Sequence, residues 1–295
     1  MATTLAARMP LENFGQGESL KTPWWAWPIP LFVALMLQMA SNLINDYYDA
    51  QSGVDTNRKF GPPRVVSMGL IPAAQVKLLF VILLMTAFIL GTFLSMAYSG
   101  LGLFLLGITC ILFAYLYTGG PWPLSHLGLG EIVAFIFFGP VAVSGTFYAL
   151  TLSPEFMLNP HVLNAGIIAG LFASTIMATN NLRDIKSDAS TGKKTLLVLT
   201  EKYFGYKIAR TIPSTCLFLA WIFGLQDLLF FYKQSAWLSL SFIVLAQLLP
   251  LIFFKVTSGI TLNELPNSRF NSALAKTGQW LFIYALLKSL AWWIW

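Results

Sequence analysis

Two short stretches hold most of the residues able to do chemistry in this chain: NLINDYYDAQSGVD, residues 42–55, and NNLRDIKSD, residues 180–188. In the first, Asn45 and Asp49 are four residues apart; in the second, Asn180, Asp184 and Asp188 repeat that interval over two turns. On a helix each set lies along one face. Each stretch follows a long apolar run, where an inserted carboxylate costs roughly 2.5–3.5 kcal/mol. Several carboxylates on one face repel one another unless a cation sits between them. Oxygen donors with no Cys or His close in sequence favour a hard ion such as Mg2+, which takes only one or two carboxylates and leaves positions for phosphate oxygens. Arg64 follows the first stretch in GPPRVVSMG, and Arg183, Lys193 and Lys194 lie within or after the second. Fixed positive charge beside acidic metal ligands suits a polyanion between them, such as a diphosphate. Gly53, Gly61 and Gly192 allow the loops to turn tightly over such a group. One acidic loop at a membrane surface reads as a solvated connection; two with the same N-x-x-x-D spacing read as halves of one site.

The elements that must position these residues are membrane helices. The chain has 295 residues, 57% of them hydrophobic and only 10% charged, against about a quarter charged in soluble domains. The apolar surplus must face lipid. The expected fold is all-α, a polytopic helical bundle with spans near 24–45, 76–98, 101–117, 130–151, 162–181, 207–225, 236–255 and 277–295, each close to the ~20 residues a bilayer requires. They form a single domain over 23–295, after an N-terminal segment 1–22. Eight spans place fourteen of the Lys and Arg residues, with both acidic stretches, on one side and four (Arg8, Lys21, Lys233 and Lys288) on the other. The basic side is expected to be cytoplasmic, so the net charge of +6 reports orientation and not nucleic-acid binding. Cys110 and Cys216 fall inside apolar segments and suggest neither a disulfide nor a thiolate site.

These stretches resemble the two signature motifs of the UbiA superfamily of intramembrane prenyltransferases. Further matching blocks, in the family's order, are GPPRVVSMGLI (61–71), YTGGPWPLSHLGLGE (117–131) and FFGPVAVSGTFY (137–148). The resemblance runs from about residue 30 to the end and is strongest to the branch that prenylates 1,4-dihydroxy-2-naphthoate. It implies a helical bundle around a central cavity open to the cytoplasm, in the inner membrane of a bacterium. It implies an Mg2+-dependent transfer from a polyprenyl diphosphate to the naphthoate, with loss of CO2 and diphosphate, giving demethylmenaquinone. The family usually has one further helix ahead of the span bearing the first motif, and residues 1–22 would be its remnant. Carried over by position, Asn45, Asp49, Asp55, Asp184 and Asp188 look like metal ligands. Where many relatives have the next aspartate this chain has Gly53, and the acid comes at Asp55. Asn45, Asp46, Arg64, Asn180, Asn181, Arg183, Lys193, Lys194 and Tyr117 look like substrate-binding residues. Asp49, Asp184, Arg64 and Lys193 are the expected catalytic set.

Tyr115, Tyr117 and Tyr148 are aromatic enough to stack on a cation, although packing is the commoner use of such residues and Tyr148 falls towards the outer face. Glu131 begins a span on the acidic side, where it either orients a loop or meets the acceptor. His126 and His161 lack partner spacing, and surface or structural roles are expected for both. Another aromatic acceptor such as 4-hydroxybenzoate is the alternative within this chemistry. A cation-coupled transporter is the alternative outside it, but transporters set their charges near the bilayer midplane on broken helices, and these acids sit at span ends. The partners expected are the two substrates and the bilayer; nothing points to a protein partner.

Overall fold

The computed structural model describes residues 22–53, 59–152 and 157–295, apart from the side chains of residues 249, 250, 253 and 256. The proposed helix remnant, except for residue 22, and the candidate ligand Asp55 lie outside the described residues.

In hydrocarbon every backbone N–H and C=O must be satisfied within the protein, so apolar runs of this length become helices. They are α1 (Ile29–Ser52), α2 (Ala73–Leu94), α3 (Gly100–Leu116), α4 (Gly130–Ile136), α5 (Ala142–Thr151), α6 (Pro160–Ser190), α7 (Leu196–Phe204), α8 (Tyr206–Ala209), α9 (Ile212–Lys233), α10 (Trp237–Asn263) and α11 (Arg269–Ile294). Helix occupies all eight expected spans, and no strand occurs among the described residues. Among the described residues, five stretches are long and apolar enough to cross a membrane by themselves.

The helices depart from the hydropathy pattern where function concentrates. The apolar runs end near residues 45 and 181, yet α1 continues to Ser52 and α6 to Ser190. The first acidic stretch is therefore helical as far as Ser52 and the second throughout, because the inward face of these last turns is polar and hydropathy no longer marks it. The stretch following Thr195, expected as loop, forms α7, whose first turn is capped by the Thr195 hydroxyl accepting from Val198 N at 3.3 Å. Nine residues are too few to register as a span.

Helix α6 is the axis of the molecule, packing against α4, α5, α9 and α11. Helices α4 and α5 are joined by a π-turn over Phe137–Val141, with Pro140 inside it and Gly139 at φ −110°, ψ −106°. Proline removes a helical donor there and kinks the helix. The bent helix rides directly on α6, since a Cβ on Gly139 would lie 2.5 Å from Gly166 O and one on Gly170 2.4 Å from Phe135 O. Small residues give this close approach in membranes. Aromatic clusters fill the rest of the core, including Phe172, Trp280 and Tyr284 at mid-depth and Phe147, Phe231 and Trp292 at the end opposite the acids.

Lys288, counted above with the sparser side's charges, is not a surface residue. Its Nζ sits 2.5 Å from Asp227 Oδ2, between α9 and α11, and both residues are essentially inaccessible. A lone lysine late in an apolar run gives no sign of which helix face it occupies. Lys288→Met is expected to destabilise the protein by about 3–5 kcal/mol, because it strands a buried carboxylate. Adding Asp227→Leu should recover most of that loss, read as the thermal unfolding midpoint of each purified variant. A single variant as stable as the parent would show that the pair does not hold the bundle.

Candidate active site

One cavity of about 530 Å³ opens between α1, α3, the kinked α4–α5 helix and α6. The acidic stretches meet at one end of it. Asn45 and Asp49 enter from α1, and Asn180, Asn181, Asp184 and Asp188 from α6. Arg64 enters from the loop after α1, Tyr117 from the end of α3 and Lys193 from the turn after α6.

That turn explains how two distant segments meet. Gly192 takes φ +78°, a conformation glycine adopts without strain, and reverses the chain beyond α6. Lys193 N then donates to Asp188 O at 2.9 Å, and its ammonium reaches Asp49 Oδ2 at 3.3 Å. Asp49 is 1% exposed. Its Oδ1 accepts no hydrogen bond, and faces His126 Nε2 at 3.7 Å.

Arg64 is fixed by Asp46. The Asp46 carboxylate accepts from Arg64 Nη1 at 2.7 Å and from Val65 N at 3.2 Å. Asp46 is thus a buried anchor for the loop and is not in the cavity wall. With its amide oxygen turned to Arg64, Asn45 accepts from Nη2 at 2.7 Å and donates to Asp49 Oδ2 at 3.1 Å. Arg64, Asn45, Asp49 and Lys193 form one alternating chain of charge and amide.

Arg183 also positions other groups. Its guanidinium is 2% exposed and grips Asp184 with Nε at 2.9 Å and Nη2 at 2.6 Å, a bidentate geometry. It donates as well to Asn180 Oδ1 and to Asn271 Oδ1, each at 2.7 Å. Asn271 in turn donates to Phe60 O at 2.8 Å, tying α11 to the loop that carries Arg64. Lys194 is exposed and outside the cavity lining.

Glu131 is buried and accepts from Asn181 Nδ2 at 2.7 Å, while its main-chain oxygen accepts from Ser174 at 2.9 Å. It turns the Asn181 amide towards the cavity. Glu131→Ala should therefore raise the KM of the anionic substrate and lower turnover about tenfold in total, with Glu131→Gln, which keeps an acceptor oxygen, close to the parent. Equal losses in both variants would instead assign Glu131 a role that needs its charge.

The other candidates separate cleanly. The Tyr117 hydroxyl donates to Met177 Sδ at 3.1 Å on the cavity wall. Tyr115 packs in a small core, its hydroxyl 2.7 Å from that of Tyr48. Tyr148 donates to Ser99 O at 2.6 Å at the far end, and His161 lies edge-on to Phe230 and Trp292 there. His126, expected at the surface or in a structural role, instead stands beside Asp49, brought there by the 3-10 turn Leu124–His126. A lone histidine in a loop carries no sequence signal for that. Nor does Asn271, which lies two residues into α11.

The donor set suits a magnesium ion bound together with phosphate. Among the described residues no three His, Cys, Asp or Glu side chains close on a common point. The acids that line the cavity offer one or two carboxylates to an ion, with the orphaned Asp49 Oδ1 among the oxygens available. Mg2+ is bound in that manner when substrate phosphates and waters complete its octahedron.

Residues 3–270 match the UbiA prenyltransferase family. A 1,4-dihydroxy-2-naphthoate octaprenyltransferase of Haemophilus influenzae is 41% identical over 180 residues, covering 59% of this chain and 57% of that one. Its Bacillus subtilis counterpart is 30% identical over 261 residues, covering 88% of this chain and 78% of that one. The match thus spans less than two thirds of the first relative and most of the second. Among solved structures, a UbiA homolog from Archaeoglobus fulgidus bound to DMAPP and Mg2+ superposes with a TM-score of 0.52 at 15% identity, over 98% of this chain and 93% of that one, a likeness of fold. With the family pattern running through most of its length and residues of both acidic motifs lining one cavity, this chain belongs to the UbiA prenyltransferase family.

Proposed function

We propose that the protein transfers a polyprenyl group from its diphosphate to 1,4-dihydroxy-2-naphthoate, releasing diphosphate and CO2 and giving demethylmenaquinone once the quinol is oxidised. The observation that carries this reading is the convergence of Asp49, Asp184 and Asp188 with Arg64 and Lys193 at one end of a cavity that is otherwise largely apolar. Two relatives of this chain are named 1,4-dihydroxy-2-naphthoate octaprenyltransferase.

Asp49 and Asp188 would hold Mg2+ against the diphosphate, with Asp184 gripped by Arg183 and Asn45 steering Arg64 and Asp49 rather than the ion. Magnesium bound there supplies neutralising charge to the leaving group. Arg64 and Lys193 supply fixed positive charge where negative charge develops as the C–O bond to diphosphate breaks. The allylic carbon left electron-poor is attacked by the ring carbon bearing the carboxylate, which departs as CO2. Apolar walls below the carboxylates keep water from that carbon, while Tyr117 and Asn181 are positioned to orient the acceptor. The acidic end faces the cytoplasm of a bacterial inner membrane, since basic residues concentrate there.

Membranes carrying the protein, given 1,4-dihydroxy-2-naphthoate and labelled octaprenyl diphosphate, are expected to form the prenylated quinol. Activity should vanish with EDTA and return with added Mg2+. Product with 4-hydroxybenzoate and none with the naphthoate would change the acceptor. Product that persists undiminished in EDTA would overturn the metal assignment.

A further inference from the structure

Beyond its polar end the cavity continues as a shaft between α1, α3 and the α4–α5 helix. On α3 its wall is Leu103, Leu106, Gly107, Cys110, Phe113 and Tyr117, at the three- and four-residue intervals of one helical face. Tyr117 lies at the level of the acids, so at 1.5 Å per residue Gly107 lies roughly 15 Å down the shaft. On α1 the wall runs from Asp49 back to Pro30, roughly 28 Å, which approaches the thickness of a bilayer's hydrocarbon core.

Two glycines set the bore of this shaft. A Cβ on Gly107 would meet nothing within 4 Å, so the helix backbone itself is the wall there and leaves room that any side chain would take. Deeper in, a Cβ on Gly145 of α5 would come within 3.0 Å of Leu106 Cδ2. Leu106 lies close against Gly145, and a side chain there would push the leucine towards the shaft. At the mouth of the shaft the orphaned, buried Asp49 Oδ1 marks the ionic end of whatever occupies it.

With the tail of the proposed donor in the apolar part of the cavity, we infer that Gly107 determines how long a tail can pass along α3 towards Thr146 and Ala149. This rests on the donor proposed above. A geranyl tail of two isoprene units ends near Cys110 and short of Gly107, whereas an octaprenyl tail must pass both.

Alkylation of single cysteines tests the route without requiring turnover. Cys110 lies above Gly107, and Thr146→Cys places a thiol below it; each is used alone, with the other cysteines replaced by serine. At ten times its Kd, octaprenyl diphosphate with Mg2+ is expected to slow maleimide labelling of both thiols about tenfold, and geranyl diphosphate that of Cys110 only. Gly107→Phe should abolish octaprenyl protection at Thr146→Cys. It should also lower the ratio of kcat/KM for octaprenyl over geranyl diphosphate by about tenfold or more. Octaprenyl protection of Cys110 with none at Thr146→Cys would send the tail sideways into lipid and overturn the inference while leaving the donor in place. A Gly107→Phe variant that lowers both donors in equal proportion would also overturn it. Protection of neither thiol by either donor would remove the proposed donor itself, and this route with it.

Discussion

Asp49→Asn is expected to reduce prenyl transfer by about a hundred- to a thousandfold in a protein that still folds. The substitution keeps the volume and the helix but removes the charge that Lys193 and Asn45 face at 3.3 and 3.1 Å. Although Asp49 is buried, asparagine keeps its volume and an oxygen that can accept from Lys193, so the unfolding midpoint should shift far less than in Lys288→Met. The effect belongs to the ion and the leaving group. On the metal site proposed above, the Mg2+ concentration for half-maximal rate should rise along with the fall in kcat, since one of few oxygen ligands would be neutral. A variant within about threefold of the parent at an unchanged Mg2+ requirement would leave Asp49 as a structural partner of Lys193 and would move the metal site to α6.

Arg183→Met should behave in the opposite way, with the fold failing first. This guanidinium makes four hydrogen bonds, two to Asp184 and one each to Asn180 and Asn271. It is the piece that links α6, α11 and, through Asn271, the loop ahead of Arg64. Its removal takes the fork away from a buried carboxylate, a change that costs about 3–5 kcal/mol when the other partner stays. Arg183→Lys is expected to recover only part of that, because an ammonium cannot reproduce a planar, bidentate fork. Thermal unfolding of both variants in detergent, read beside transfer activity, checks this. Lost activity with an unshifted midpoint would show that Arg183 meets the substrate directly.

The contrast between these two residues marks the limit of what motif spacing conveys. Arg183 reads in sequence as one more cation beside the acids, a substrate-binding candidate alongside Lys193. In the folded protein Lys193 points into the cavity, whereas Arg183 is consumed in holding Asp184. Asp46 and Asp49 differ in the same way: three residues apart on α1, one anchors the Arg64 loop and the other lines the site.

The sequence by itself determined the membrane class, the eight helical stretches and the pairing of the two acidic motifs. Lipid imposes long apolar runs, and the helical repeat puts residues four apart on one face, so both signals are local and survive without any tertiary contact. Only the tertiary structure decided which charges turn inward. Lys193 meets Asp49 across 144 positions of chain, His126 arrives beside the same carboxylate on a short 3-10 turn, and Lys288 disappears into the bundle against Asp227. The Lys193 placement depends on the turn at Gly192 that brings it back over α1, while the kinked helix seats on α6 through Gly139, Gly166 and Gly170. Packing of that kind joins faces of helices that are remote in sequence, and no spacing within one segment encodes it.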